Sequence, residues 1–415
     1  MRYAGVVPPR SLGPAHEGRD PDEEHRSATP LELLFDLTLV VAFSQASTQM
    51  AHLLELGHIA TAVGAFAFSL FAICWAWINY SWLASAYDND DVFFRVATMV
   101  QMLGVLVIAL GMPALFHSID VGEHIDNGIV VAGYVVMRVS TIALWLRAGR
   151  HDPPRRPATQ TYARLIALAQ VVWVIQIFTY PPLPVTVVVT LLLVIFEMSI
   201  PAIAERRACT PWHAHHIAER YGLLVIITLG EVILGTILAI SAVVEEQGWS
   251  LEAVLVASGG VMLAFGLWWV YFTMPSGEVL AGHRERGFTW GYGHLVLFGS
   301  LAATGAGLHV AANVIEHEAH LGPVGAILSV VVPVAVFTVA LITLYSLLLH
   351  QFDTFHTWLV VGALAVLTAA VLTIAAGASI GTGILLAAGA PLLVIVGYEA
   401  VGHRHQADAV ARTLS

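Results

Sequence analysis

Residues 31–53 read LELLFDLTLVVAFSQASTQMAHL. The stretch is long enough to cross a bilayer, which takes roughly 20 mostly apolar residues, yet it carries Glu32 and Asp36 near its start. A charge in hydrocarbon costs at least ~2.5–3.5 kcal/mol unless it is paired or hydrated. A span built this way therefore needs other helices to shelter it. At about 100° per residue, Glu32, Asp36 and Ser47 fall on one side, and Thr38, Gln45, Gln49 and His52 roughly on the other. The expectation is a first span surrounded by protein.

Further apolar stretches of similar length follow at 58–82, 93–115, 128–147, 161–179, 183–204, 216–241, 251–273, 290–313, 322–346, 358–376 and 379–399. The last two are separated by a short Gly-containing turn, so a merged or re-entrant pair remains open. Hydrophobic residues make up 58% of the 415 and charged residues only 11%, against roughly a quarter in soluble domains. The chain is read as an all-α integral membrane protein of about 12 transmembrane helices. Residues 1–30 and 401–415 are polar and are expected as tails, the first of them flexible. Residues 31–204 and 205–400 form two halves of six spans each.

Arginine placement tests this segmentation. All 18 basic residues are Arg. With the N-terminus in the cytoplasm, every one except Arg138 falls in or beside a cytoplasmic loop, as the positive-inside rule requires. Both termini are therefore expected to be cytoplasmic, in a bacterial plasma membrane. The opposite loops carry acids and histidines, among them His58, Asp120, Glu123, His124, Asp126, Glu316 and Glu318. They read either as a cation-attracting vestibule or simply as the polar residues a loop needs, and none has a compact metal-ligand spacing.

The halves resemble each other weakly. LFDLTLVV in span one and LGEVILGT in span seven each hold one acid, and CWAWINYSW and GLWWVYF follow at similar distances. Six spans per half would make two parallel repeats, a common transporter plan. Chance alignment of acids and interfacial aromatics remains the alternative.

The residues singled out for chemistry are Glu32, Asp36, Arg138, Glu197, Glu219, Arg220, Glu231 and His294. Asp36, Arg138 and Glu197 lie at comparable depths, so a network in which Arg138 bridges Asp36 or Glu197 is expected. Glu231 falls near mid-span between Gly230 and Gly235, where a neighbour or ligand can approach. It stands eleven residues from Arg220, about 16 Å along the helix, too far to pair. His294 is expected to bond Glu219 or Tyr221. The spacing Gly299, Ala303, Gly307 suits close helix packing. No nucleotide-binding loop, nucleophile elbow or HExxH is present, and no cofactor, metal or catalytic residue is expected.

Three stretches, RSATPLELLFDLTLVVAFSQ, HHIAERYGLLVIITLGEVILG and GLWWVYF followed by WGYGHLVLFG, resemble the bacterial low temperature requirement A (LtrA) family. The resemblance runs from about residue 26 to 400 and implies a multi-pass bacterial membrane protein associated with growth at low temperature. Its motif positions here are Glu32, Phe35, Asp36, His216, Glu219, Arg220, Gly222, Gly230, Glu231, Trp268, Trp269, Tyr292 and His294. Leu34 and the YFTMP after the tryptophans depart from the pattern. The resemblance names no reaction.

The leading expectation is a non-enzymatic, transporter-like bundle that binds a polar or cationic solute, or a proton, at buried carboxylates. The alternatives are a membrane-embedded enzyme using Glu231, Glu219 and His294 on a lipid-like substrate, and a structural or sensory protein without a cavity. The lipid bilayer is the expected partner, nucleic acid is not, and homo-oligomerisation is left open.

Overall fold

The computed structural model describes residues 18–414 except 22, 24, 25, 123, 180 and 318. Every regular element among them is helical. In order these are α1 (Pro30–Glu55), α2 (Ile59–Tyr87), α3 (Val92–Val121), α4 (Gly128–His151), α5 (Arg156–Thr179), α6 (Leu183–Glu205) and α7 (Ala214–Gln247). Then come α8 (Leu251–Phe272), the short α9 (Ser276–Gly282), α10 (Gly287–Ile315), α11 (Pro323–Leu349), α12 (Thr354–Ala375), α13 (Ile380–Gly397) and α14 (His403–Leu414). Twelve of the helical stretches are long and apolar enough to cross a membrane. The last two spans are separate crossings, turned by Gly377 at φ +94°.

Several helices outrun the apolar stretches that announced them. A helix continues past its hydrocarbon segment until a cap satisfies its end groups. Thr29 and Glu32 form a capping box at the start of α1, and Ser250, Ser379, Asp91 and Asp353 cap α8, α13, α3 and α12. At the other ends, arginines hold the free carbonyls. Arg26 donates to Ala84 O (2.7 Å) and to Ser85 O at the end of α2. Arg156 donates to Gly149 O (2.8 Å) in α4, and Arg286 to Leu348 O (2.7 Å) in α11. Cations are favoured at helix C-termini. The loop arginines thus have a structural use as well as a topological one.

Helix α10 is the centre of the bundle, packed against α7, α11 and α1. Across residues 31–204 and 205–400 the order of neighbours recurs in part, although α8 packs closely on α13 and α2 makes no comparable contact with α6. Contacts run α1–α3, α3–α4, α4–α5 and α5–α6 in the first, and α7–α10, α10–α11, α11–α12 and α12–α13 in the second. Backbones touch where α10 meets its neighbours. A Cβ at Gly235 would lie 2.5 Å from Gly305 O, one at Gly305 would lie 2.5 Å from Glu231 O, and one at Gly307 would overlap the Ser329 carbonyl. Gly230 faces open space instead.

Three expectations need correction. Helix α1 is not enclosed on all sides: Leu34, Leu37 and Val41 are 50%, 60% and 46% exposed. Its acids share the buried face, while its apolar residues form an outward stripe. The C-terminal segment, expected as a polar tail, is the helix α14 docked against the bundle: Gln406 Nε2 donates to Thr273 O (2.7 Å) and His283 Nε2 to Thr413 O (2.7 Å). Finally, residues 18–29, assigned to the flexible tail, include Arg26, which is buried on α2, and Arg19, whose N–H donates to Ala86 O (3.0 Å). The expectations for residues 1–17, Glu123 and Glu318 fall outside the described residues.

Candidate functional site

Two buried charge clusters and one isolated acid occupy the bundle. The first cluster joins α1 to α7. Arg220 Nη2 lies 2.6 Å from Asp36 Oδ1, and Arg220 Nη1 lies 2.7 Å from Glu32 Oε1. His216 Nε2 donates to Glu32 Oε2 (3.2 Å), and Trp77 Nε1 of α2 donates to Asp36 Oδ1 (2.7 Å). All four charged or titratable side chains have no exposed surface. The capping box explains the placement, since it fixes Glu32 in the first turn of α1, and Asp36 follows one turn later on the same face. His216 and Arg220 repeat that four-residue spacing in the first turns of α7. One guanidinium with rings of Trp77 and Tyr80 beside it thus serves two carboxylates.

The second cluster joins α4 to α6. Arg138 Nη2 lies 2.6 Å from Glu197 Oε2, and both side chains are 1% exposed. Glu197 also accepts from Trp75 Nε1 (2.9 Å), Trp173 Nε1 (2.9 Å) and Tyr134 Oη (2.8 Å). Arg138 therefore pairs with Glu197 and not with Asp36. The single three-charge network expected from depth is two clusters, because depth along a helix does not say which neighbour a side chain faces. The donors Trp75, Trp77, Trp173 and Tyr134 were not anticipated. A buried indole or phenol needs a partner for its N–H or O–H, but only the packing of α2, α4 and α5 shows that a carboxylate supplies it.

Glu231 differs from both. It is 6% exposed, and no ion pair among the described residues includes it. Ser44 and Ser47 of α1 stand beside it, the Ser47 hydroxyl donating to Ala302 O (3.4 Å), and its own backbone packs on Gly305 of α10. His294 stands apart from the carboxylates: its Nδ1 donates to Trp290 O (2.8 Å) and its Nε2 accepts from Tyr271 Oη (2.9 Å). It bonds neither Glu219 nor Tyr221, although the Tyr221 ring lies edge-on at 4.9 Å. Glu219 is exposed on the outer face of α7 and joins neither cluster. His213 Nδ1 accepts from His216 N (3.1 Å) and caps the start of α7.

The first cluster continues to the mouth of the bundle, where Asp88 follows the end of α2. Burial, and then the charge of Glu32, push its carboxyl up to about 6. A folded-state value above the unfolded one (~3.9) means that the neutral form is preferred on folding. The stability it contributes is complete below about pH 4 and is lost as pH rises through about 6. Asp88→Asn should therefore melt at a higher temperature than wild type at pH 7 to 8, and the difference should vanish near pH 4. Thermal unfolding in detergent across that range checks this, and a constant offset at every pH contradicts it.

Twelve spanning helices, with acids and arginines paired inside the bundle, define a polytopic integral membrane protein. The chain belongs to the bacterial low temperature requirement A protein (LtrA) family, whose pattern matches residues 27–391. It is also similar to an uncharacterized protein of Rhizobium meliloti (strain 1021), at 26% identity over 312 residues, 70% of this chain and 71% of that one. Both clusters and Glu231 lie inside the family match.

Proposed function

We propose that the protein is a membrane transporter in which Glu231 takes up and releases a proton or a small cation between α1, α7 and α10. One contrast carries this reading. Glu32, Asp36 and Glu197 each meet an arginine, whereas no ion pair among the described residues includes Glu231. An uncompensated carboxylate inside a membrane is costly, so its site favours occupation by a proton or a cation. The arginine clusters then act as fixed ties between helices. The concentration of arginines in alternate loops supports cytoplasmic termini, and the partly recurring neighbour order supports two parallel six-helix repeats. The enzyme reading is weaker, because both nitrogens of His294 are engaged and Glu219 is remote from Glu231 along α7.

The test is proton flux in reconstituted vesicles holding a pH-sensitive dye, driven by an imposed ion gradient. Wild type should move protons, and Glu231→Gln should largely abolish the flux without changing the helical content or the melting temperature. Equal flux in the two proteins would remove Glu231 from any transport step. Absence of flux in wild type would leave the structural reading.

A further inference from the structure

A cavity of about 410 Å3 lies at the end of the bundle opposite the arginines, between α2, the α3–α4 turn and α6. Phe68 and Phe71 of α2, Ile119 of α3, and Val187 and Leu191 of α6 line it, and among the described residues its polar side chains are Asn127 and Thr190. Val187 and Leu191 are 43% and 56% exposed, so the α6 wall also faces the bilayer. Small residues make the room: Gly64 and Ala67 lie one turn apart on the lining, and a Cβ at Gly64 would meet nothing within 4 Å. The lining on α6 extends from Leu183 to Val194. Those eleven steps are about 16 Å, close to one leaflet of a core ~30 Å thick.

The inner end is closed by rings. Phe68 sits 6.1 Å from Trp173, and Phe71 stacks on Trp75 at 5.8 Å. The indoles of those two tryptophans hold Glu197. At the outer end, the turn after α3 carries His124 and Asp126, with Asp120 just before it, and the loops of that face contain no Arg or Lys.

We propose that this cavity seats an acyl chain of an amine-headed, zwitterionic phospholipid from the leaflet on that side. Depth and lining suit one hydrocarbon chain entering beside α6. Burying that chain and the walls it touches is favourable by roughly 25 cal/mol per Å2 wherever the alternative is water in the cavity. The rim holds Asp126 and Asp120, the latter already bonded by His58 Nδ1 (2.7 Å), and its loops contain no Arg or Lys, which favours an ammonium head over an anionic one. A seated chain would lie on Phe68 and Phe71 and keep water from the Arg138–Glu197 pair beneath. None of this depends on Glu231, so the two readings fail separately.

The experiment uses the full chain in vesicles containing phosphatidylethanolamine with a diazirine on its acyl chain, mapping the photolabel by mass spectrometry. Labelling should concentrate on residues 64–71 and 187–194, exceed that on the outward α12 residue Leu372 severalfold, and fall severalfold in Ala67→Phe. Phosphatidylglycerol with the same chain should label these segments less. If Ala67→Phe does not fold, Gly64→Leu fills the same space from a position with no neighbour to displace. Labelling no higher than at Leu372, insensitivity to the filling variant, or equal labelling by phosphatidylglycerol would each overturn the proposal.

Discussion

Arg220→Met is expected to cost about 3–5 kcal/mol of stability and to leave little folded protein, because it strands two carboxylates that have no exposed surface. Glu32 would keep the Thr29 N–H and His216, and Asp36 would keep only the Trp77 indole. Neutralising the acids removes the penalty. Arg220→Met combined with Glu32→Gln and Asp36→Asn should therefore recover most of the lost stability, even though it removes the arginine and both carboxylate charges of the cluster. Arg220→Lys should rescue only in part, because an ammonium cannot span both carboxylates as the planar guanidinium does. Arg138→Met should be milder. It strands one carboxylate, which retains three donors in Trp75, Trp173 and Tyr134. Unfolding midpoints in detergent, together with expression yield, measure all of these. A loss in Arg220→Met no larger than that in Arg138→Met would contradict the assignment of Arg220 as the shared partner.

The second large effect concerns the helix crossing at the centre. Gly307→Ala should destabilise by about 1–3 kcal/mol, the usual range for overpacking a filled core, and Gly307→Leu should prevent assembly. The reason is that the new Cβ meets the Ser329 carbonyl of α11, which is backbone and cannot rotate away. Gly230 offers the control on α7. A Cβ there meets nothing within 4 Å, so Gly230→Ala should be neutral or stabilising by up to ~1 kcal/mol through helix propensity. Comparing the melting temperatures of the two alanine variants isolates packing from propensity. Similar shifts in both would mean that α10 and α11 do not touch at Gly307.

Much of the candidate site could be read one helix at a time. Glu32 and Asp36 are visibly on one face, and so are His216 and Arg220, because four residues make about one turn. Both pairs stand in the first turns of spans that start at the same side of the membrane. That shared spacing was the available clue to their pairing. Depth alone points elsewhere, since Asp36, Arg138 and Glu197 lie at similar heights and suggest a single network. Nothing in the linear spacing identifies the indoles of Trp75, Trp77 and Trp173 as donors, since tryptophans gather at membrane interfaces for other reasons as well. The docking of α14 was hidden for a related cause. Its composition is polar, and only its amphipathic pattern hints that Gln406 and Ala409 turn inward.

Hydropathy and arginine placement alone determined the number of crossings and that charges must be sheltered inside the bundle, because the bilayer penalises every misplaced polar group independently of the neighbours. The tertiary structure alone decided which acid meets which arginine, that α1 keeps one face outward, and that Glu231 has no cationic partner among the described residues. Those are properties of contacts between helices far apart in the chain. A helical period fixes the direction of a side chain about its own axis but carries no information about what lies opposite.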